Sequence, residues 1–196
     1  MSDAQQRSLK PLIAAPTLET ERLVLRQYRK EDFRPHLEIV GDDAVMRYVG
    51  GAGISAEDCW RRVAGSVGSW TLLGFGGWAV VRRFDDKLIG TVGLFNAWRD
   101  MEPQFGEDPE MGWIFAKDVR GQGLAFEACA AALSWADQAL GAMPIWAIVA
   151  PENAPSLRLA ERLGFERLAD SVYSNEPTAV LRRLPAAAAT AAATPA

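Results

Sequence analysis

Arg120 Gly121 Gln122 Gly123 Leu124 Ala125 are the residues whose types and spacing are best suited to chemistry in this chain. They follow an apolar run, Met111 Gly112 Trp113 Ile114 Phe115 Ala116, and precede a segment in which Ala125, Ala128, Cys129, Ala132, Trp135, Ala136 and Ala139 recur at three- and four-residue steps. Such steps gather side chains on one face of a helix, so the unit reads as strand, loop, helix. The first amides of a helix have no partner inside it, and the aligned peptide dipoles favour negative charge there. Gly121 and Gly123 put no side chain between a ligand and the backbone, and Arg120 adds a fixed positive charge, so the loop suits a pyrophosphate. A tight strand-to-helix connection is the other reading of the same residues. The loop is not a dinucleotide fingerprint, because the third glycine and an acidic residue about twenty positions on are missing. It lacks the Gly-Lys-Ser/Thr ending of a P-loop as well.

A sheet and helices must hold that loop in place. Leu23 Val24 Leu25 Arg26 Gln27 Tyr28 predicts a first strand, and 30–40 and 56–70 predict helices on either side of a glycine-rich turn at Gly50 Gly51 Ala52 Gly53. Ser55 is placed as an N-cap, with Asp58 at the capping-box distance. Residues 78–82 and 88–95 predict a hairpin turning at Asp85 Asp86. A polar stretch, 96–109, leads to the strand at 110–116. A strand at 145–150, a helix at 153–163 and weaker strands at 165–170 and 179–183 complete the pattern. The order β, α, α, β, β, β, α, β, α, β, β predicts an α/β domain with a mixed sheet over 17–184. Residues 1–16 and the Pro, Ala and Thr tail at 185–196 carry no period and are expected to be flexible.

Composition narrows the function. The chain has 196 residues, of which 49% are hydrophobic, enough for one sizeable core. Its formal charge is −4, and no basic stretch is longer than Arg61 Arg62 or Arg182 Arg183, which argues against a nucleic-acid groove and for a cationic or amine-bearing partner. Cys59 and Cys129 fall within helical patterns and read as small buried residues rather than a disulfide. No segment approaches the roughly 18 apolar residues of a membrane span, and the N-terminus lacks the apolar core of a signal peptide, so a cytoplasmic protein is expected. No His, Cys, Asp or Glu cluster has the spacing of metal ligands. His36, the one histidine, is expected at the surface or as a cap.

A second segment completes the pattern: Asn153, Ser156, Leu159 and then Leu163 Gly164 Phe165. With the glycine loop it resembles the GNAT (Gcn5-related) N-acetyltransferase superfamily, whose acetyl-coenzyme A loop reads Gln/Arg, x, x, Gly, x, Gly/Ala, met here by Arg120, Gly123 and Ala125. The run from Leu18 to Arg26 and the run from Glu110 to Phe115 are similar to the branch that includes the ribosomal-protein alanine and serine N-acetyltransferases. The resemblance implies a mixed, mostly antiparallel sheet with a splayed central strand pair and helices on both faces. It implies that the backbone of Trp113, Ile114 and Phe115 binds the pantetheine arm of acetyl-CoA. By the same likeness, Arg120, Gly121, Gln122, Gly123, Leu124 and Ala125 take its pyrophosphate and the Asn153 amide bonds the pantetheine. Asn153 is equally placed to be a helix N-cap.

For acetyl transfer to an amine, the nucleophile must be neutral and the departing thiolate needs a proton or a hydrogen bond. Many members of the superfamily place a tyrosine four residues after Ser156, where this chain has Ala160. Ser156 is therefore the expected group at the sulfur, with an ordinary first-turn serine as the other reading. Glu110, at the start of the splayed strand, is the candidate base, directly or through water, with a solvated carboxylate as the alternative. Tyr48, Trp98 and Phe105 lie in or beside irregular segments and are expected to wall an acceptor pocket near Asp100, Glu102 and Glu107. The expected acceptor is a small amine or a protein N-terminus, without metal, nucleic acid or membrane, on a monomer or homodimer. A longer acyl group, or coenzyme A binding without turnover, are the competing readings.

Overall fold

A computed structural model describes residues 14–185. The strands are β1 (Leu18–Glu19), β2 (Leu23–Arg26), β3 (Gly77–Arg82), β4 (Lys87–Phe95), β5 (Glu110–Phe115), β6 (Ile145–Val149), β7 (Glu166–Tyr173) and β8 (Glu176–Arg183). The helices are α1 (Phe33–Val40), α2 (Asp43–Met46), α3 (Ala56–Leu73), α4 (Leu124–Ala139) and α5 (Ala154–Arg162). One sheet holds all eight strands in the order β1-β2-β3-β4-β5-β6-β8-β7, antiparallel throughout except between β5 and β6.

The pleat sorts side chains to two faces. Ile145, Ala147 and Val149 of β6 join Leu23, Leu25, Val80 and Ile89 beneath α4 and α5, in a core that includes Ala128, Cys129, Ala132 and Ala136. The alanines that mark the buried stripe of α4 let it lie close to the sheet. Trp70, at the end of α3, packs edge-on against Trp78 and Trp135, with ring centroids 4.6 and 5.2 Å away. On the other face Ala79, Leu88 and Ile114 meet Tyr28, Ile39 and Val63 of the α1 and α3 layer. Trp146 and Ile148, alternating with the first β6 set, take the loop 96–109 through Met101 and Phe105.

Helix α3 begins as its sequence predicts: the Ser55 hydroxyl accepts from the Asp58 amide. The hairpin between β3 and β4 forms, with Asp86 in the left-handed region. Strands β7 and β8 are longer than expected because Ser174 and Asn175, both at positive φ, make a two-residue turn of the kind that matches strand twist. The predicted first helix opens with a 3-10 turn at Lys30–Asp32, and α2 and β1 are short elements that the sequence pattern did not mark. Of the N-terminal segment, Ala15 and Pro16 are hydrogen-bonded to the sheet: the Ala15 amide donates to Gln27 Oε1 at 2.9 Å, and Trp78 Nε1 donates to the Pro16 carbonyl at 2.9 Å. Residues 1–13 and 186–196, the rest of the expected flexible ends, lie outside the described residues.

His36 is a correction. It is not a surface or capping residue: its side chain is buried, with Nδ1 3.3 Å from the Tyr28 hydroxyl. Its position on the inner side of α1 decides this, because Tyr28 supplies the hydrogen bond that makes burial tolerable. Cys59 and Cys129 are both free and buried. Among the described residues no helix is long and apolar enough to cross a membrane.

Candidate active site

The one parallel strand pair among the described residues is also where the sheet opens. Glu110 lies opposite Trp146, whose amide donates to the Pro109 carbonyl at 2.9 Å, and no further β5–β6 pair follows among the described residues. The Ala116 amide donates to Ile89 of β4. At a period of two, residues 112, 114 and 116 therefore turn their backbone groups to β4, and 111, 113 and 115 turn theirs to the gap. This corrects one expectation. Trp113 and Phe115 turn their backbone groups to the splay, whereas the Ile114 backbone is paired with β4 and its side chain packs towards α1 and α3.

At the mouth of the splay stands the glycine loop. Gly121 and Gly123 adopt φ of 75° and 77°, a region open to glycine at little cost, and Gly123 is the N-cap of α4. The amides of residues 121–126 donate to no group among the described residues, so six N–H groups are left at one helix start. Leu124 anchors the helix start by burying its side chain. Gln122 Nε2 donates to the Asp118 carbonyl at 2.9 Å, which ties this side chain back to the turn before the loop. Arg120 is exposed, and its Nη2 donates to the Ala44 carbonyl at 3.2 Å, tying the loop to α2.

Across the gap, Trp113 Nε1 donates to Ser156 Oγ at 3.3 Å. The Asn153 side-chain oxygen accepts from the Ser156 amide at 3.3 Å, so the N-cap reading of Asn153 describes its oxygen while its amide nitrogen has no hydrogen bond among the described residues. The Ser156 hydroxyl proton is left for another acceptor. Ala160, where the family resemblance leads one to expect a tyrosine, is buried in the core.

Glu110 differs from both expectations. It is 3% exposed, so it is not a solvated carboxylate. Its oxygens accept from Arg99 Nε at 2.6 Å and Nη2 at 2.8 Å, so it is not a free base either. The Arg99 guanidinium lies 4.4 Å over the Tyr173 ring. Burial lowers the pKa of Arg99, but the hydrogen bonds and charge of Glu110 outweigh that and raise it. Trp98, Phe105 and Glu110 line one small pocket of the loop 96–109, and Tyr48 lies outside it. Phe105 stacks on Trp146 with centroids 4.6 Å apart and serves the packing of the loop rather than an open wall. Trp98 is 73% exposed, in a bend held by Asn96, which accepts from the Trp98 amide and donates to the Gly106 carbonyl. Among the described residues no group of three or more His, Cys, Asp or Glu could hold a metal.

A mixed sheet opened at its single parallel pair, with an amide cradle at the mouth of the opening, defines an acyl-group transferase of the acetyltransferase fold. Residues 22–166 match the family described as Acetyltransferase (GNAT) domain, and the chain belongs to that family of N-acetyltransferases. It is 28% identical over 151 residues, 76% of this chain and 82% of the relative, to the uncharacterized N-acetyltransferase YnaD of Bacillus subtilis. Among solved structures it is similar to a GnaT-family acetyltransferase from Bordetella pertussis, with 29% identity, 86% and 99% of the two chains covered and a TM-score of 0.76. The fold is also that of the ribosomal-protein-S5-alanine acetyltransferase from Vibrio fischeri (19% identity, 88% and 98% covered, TM-score 0.71). A further structure of this fold is the spermidine N-acetyltransferase from Vibrio cholerae in complex with CoA and spermine (20% identity, 85% and 97% covered, TM-score 0.67).

Proposed function

We propose that this protein transfers the acetyl group of acetyl-CoA directly to an amine. The observation that carries the reading is the row of six amides at residues 121–126 that have no partner among the described residues, at the start of the helix that follows the parted strand β5. Those amides and the α4 dipole suit a pyrophosphate. The gap-facing backbone of Trp113 and Phe115, with the Asn153 amide, suits a pantetheine arm. In the step itself the amine nitrogen bonds to the thioester carbon, the C–S bond breaks, and the amine proton leaves through water. A gap-facing N–H stabilises the oxyanion, and the Ser156 hydroxyl, held by the Trp113 indole, donates to the departing sulfur.

Ser156→Ala is expected to lower kcat about 10-fold, the worth of one hydrogen bond to a charged sulfur, with KM for acetyl-CoA within about twofold. An unchanged kcat removes Ser156 from the mechanism. Trp98, with its exposed ring, and the exposed carboxylates Asp100, Glu102 and Glu107 favour a cationic acceptor, either a polyamine-like molecule or a protein N-terminus. Trp98→Ala is expected to raise KM for the acceptor several-fold without changing KM for acetyl-CoA, by loss of cation–π contact. Equal KM values for the acceptor would count against that wall.

Thiol release from acetyl-CoA, followed over polyamines, amino acids and short peptides with free N-termini, tests the whole reading. Release that requires an amine supports it. Coenzyme A binding with no release on any acceptor, or release only from longer acyl-CoA, replaces it.

A further inference from the structure

The segment Thr20 Glu21 Arg22 has no part in the chemistry above, yet it reaches the cradle from about a hundred residues away in sequence. A turn fixes it: the Thr20 amide donates to the Leu23 carbonyl at 3.0 Å, and the Leu23 amide donates to Thr20 Oγ1 at 3.0 Å. From that turn three donors converge on Glu127, in the first turn of α4. Thr20 Oγ1 donates to Oε1 at 2.6 Å, the Arg22 amide to the same oxygen at 2.9 Å, and Arg22 Nε to Oε2 at 2.6 Å. Arg22 Nη1 then donates to the Gln122 carbonyl at 2.9 Å. Its other nitrogen lies 3.5 Å from where a Cβ on Gly123 would stand.

We propose that Arg22 is a positioning residue for the donor: it holds the Gln122–Gly123 peptide so that the cradle amides face the pyrophosphate, and it neutralises the carboxylate beneath them. The inference rests on the reading of the cradle as the acetyl-CoA site. In a trans peptide the carbonyl and the following N–H point opposite ways. With the Gln122 carbonyl bound to Arg22, the Gly123 N–H is turned away from Arg22, towards the open side of the loop. Glu127 would otherwise place a negative charge one turn from an incoming dianion. Burial pushes its carboxyl up, but Thr20 and the Arg22 amide and guanidinium outweigh burial and hold it below the ordinary range. Both oxygens of the carboxylate are held in this clasp. Arg22 is 46% exposed, and exposed ion pairs add little to stability, so its contribution is expected in ligand binding.

The test uses the full chain with Arg22→Met and Arg22→Lys, and two donors: acetyl-CoA and S-acetylpantetheine, which has the thioester and arm but no pyrophosphate. Arg22→Met is expected to weaken CoA binding by calorimetry, and to raise KM for acetyl-CoA, about 10-fold, the effect of one charge-assisted bond. The kcat at saturating acetyl-CoA and the kcat/KM for S-acetylpantetheine stay within about twofold, and Arg22→Lys lies between, keeping the charge without the fork. Equal losses on both donors, or unchanged CoA affinity in Arg22→Met, overturn the role of Arg22 alone. Failure of the unaltered protein to bind CoA overturns the reading of the cradle.

Discussion

Glu110→Gln is expected to cost about 3 kcal/mol of folding free energy, the lower end of what breaking a buried ion pair costs, and to lower Tm by roughly 6–12 °C. The substitution keeps the shape of the side chain and removes its charge, leaving Arg99 as an uncompensated cation with a side chain 17% exposed. Partial exposure of that guanidinium, and its contact with Tyr173, keep the cost at the lower end. The loss reaches beyond one residue, because the pair ties the loop 96–109 to the first residue of β5, where the sheet begins to part. Replacing both partners, Arg99→Met with Glu110→Leu, is expected to recover most of the stability, since desolvating two charges offsets much of what their attraction contributes. Urea unfolding of the two single variants and the double variant measures this. A single variant as stable as the starting protein would show that the pair is not buried in solution. The same variant separates base from anchor. As an anchor, Glu110→Gln leaves the acid limb of the kcat/KM profile in place when measured well below its Tm; loss of that limb would return Glu110 to the role of base.

Ion pairs of this sort mark where sequence reading stops. Glu110 and Arg99 are eleven residues apart and separated by an irregular loop, and no periodicity relates them. The glycine loop was legible because its parts are local: the strand before it, two glycines and the alanine stripe after it follow from short-range rules. The splayed pair entered through the family likeness, not from spacing. Which backbone groups face the gap depends on a register that one hydrogen bond, Ala116 to Ile89, fixes across strands, so sequence alone does not separate Ile114 from its neighbours. Arg22 was visible as part of a motif but without a role, because its partners, Gln122 and Glu127, lie about a hundred positions away. Phe105 reads as an open aromatic in sequence. Only the fold brings Trp146 against its face.

His36 gives the second large effect, as a dependence of stability on pH. Burial, with a smaller contribution from Arg62 and against the pull of Asp32, lowers its pKa from 6.5 to about 4. The unfolded chain therefore takes up a proton as pH falls through 6.5, whereas the folded protein does not until about pH 4. Stability from this group is complete above the unfolded value and is lost on the way down, by roughly 2 kcal/mol at pH 5 and 3 kcal/mol at pH 4, at about 1.4 kcal/mol for each pH unit of separation. The chemistry agrees with the sign. In the tautomer protonated at Nε2, a neutral imidazole accepts at Nδ1 from the Tyr28 hydroxyl 3.3 Å away, and protonation of Nδ1 removes that acceptor while carrying a charge into an apolar layer. Carboxylates also titrate in this range, so the measurement is a difference between the protein and His36→Gln. Unfolding free energies from urea titrations at pH 7 and pH 5 are expected to differ by roughly 2 kcal/mol more in the unaltered protein. Matching pH dependences in the two proteins would show that His36 is not buried neutral. Tyr28 shares its apolar layer with Ile39, Val63 and Ile114, and Ile114 belongs to β5, the strand that parts from β6 at the candidate active site. Acid loosening of α1 at His36 thus acts on the back of β5, and activity is expected to fall in the same pH window, and less so in His36→Gln.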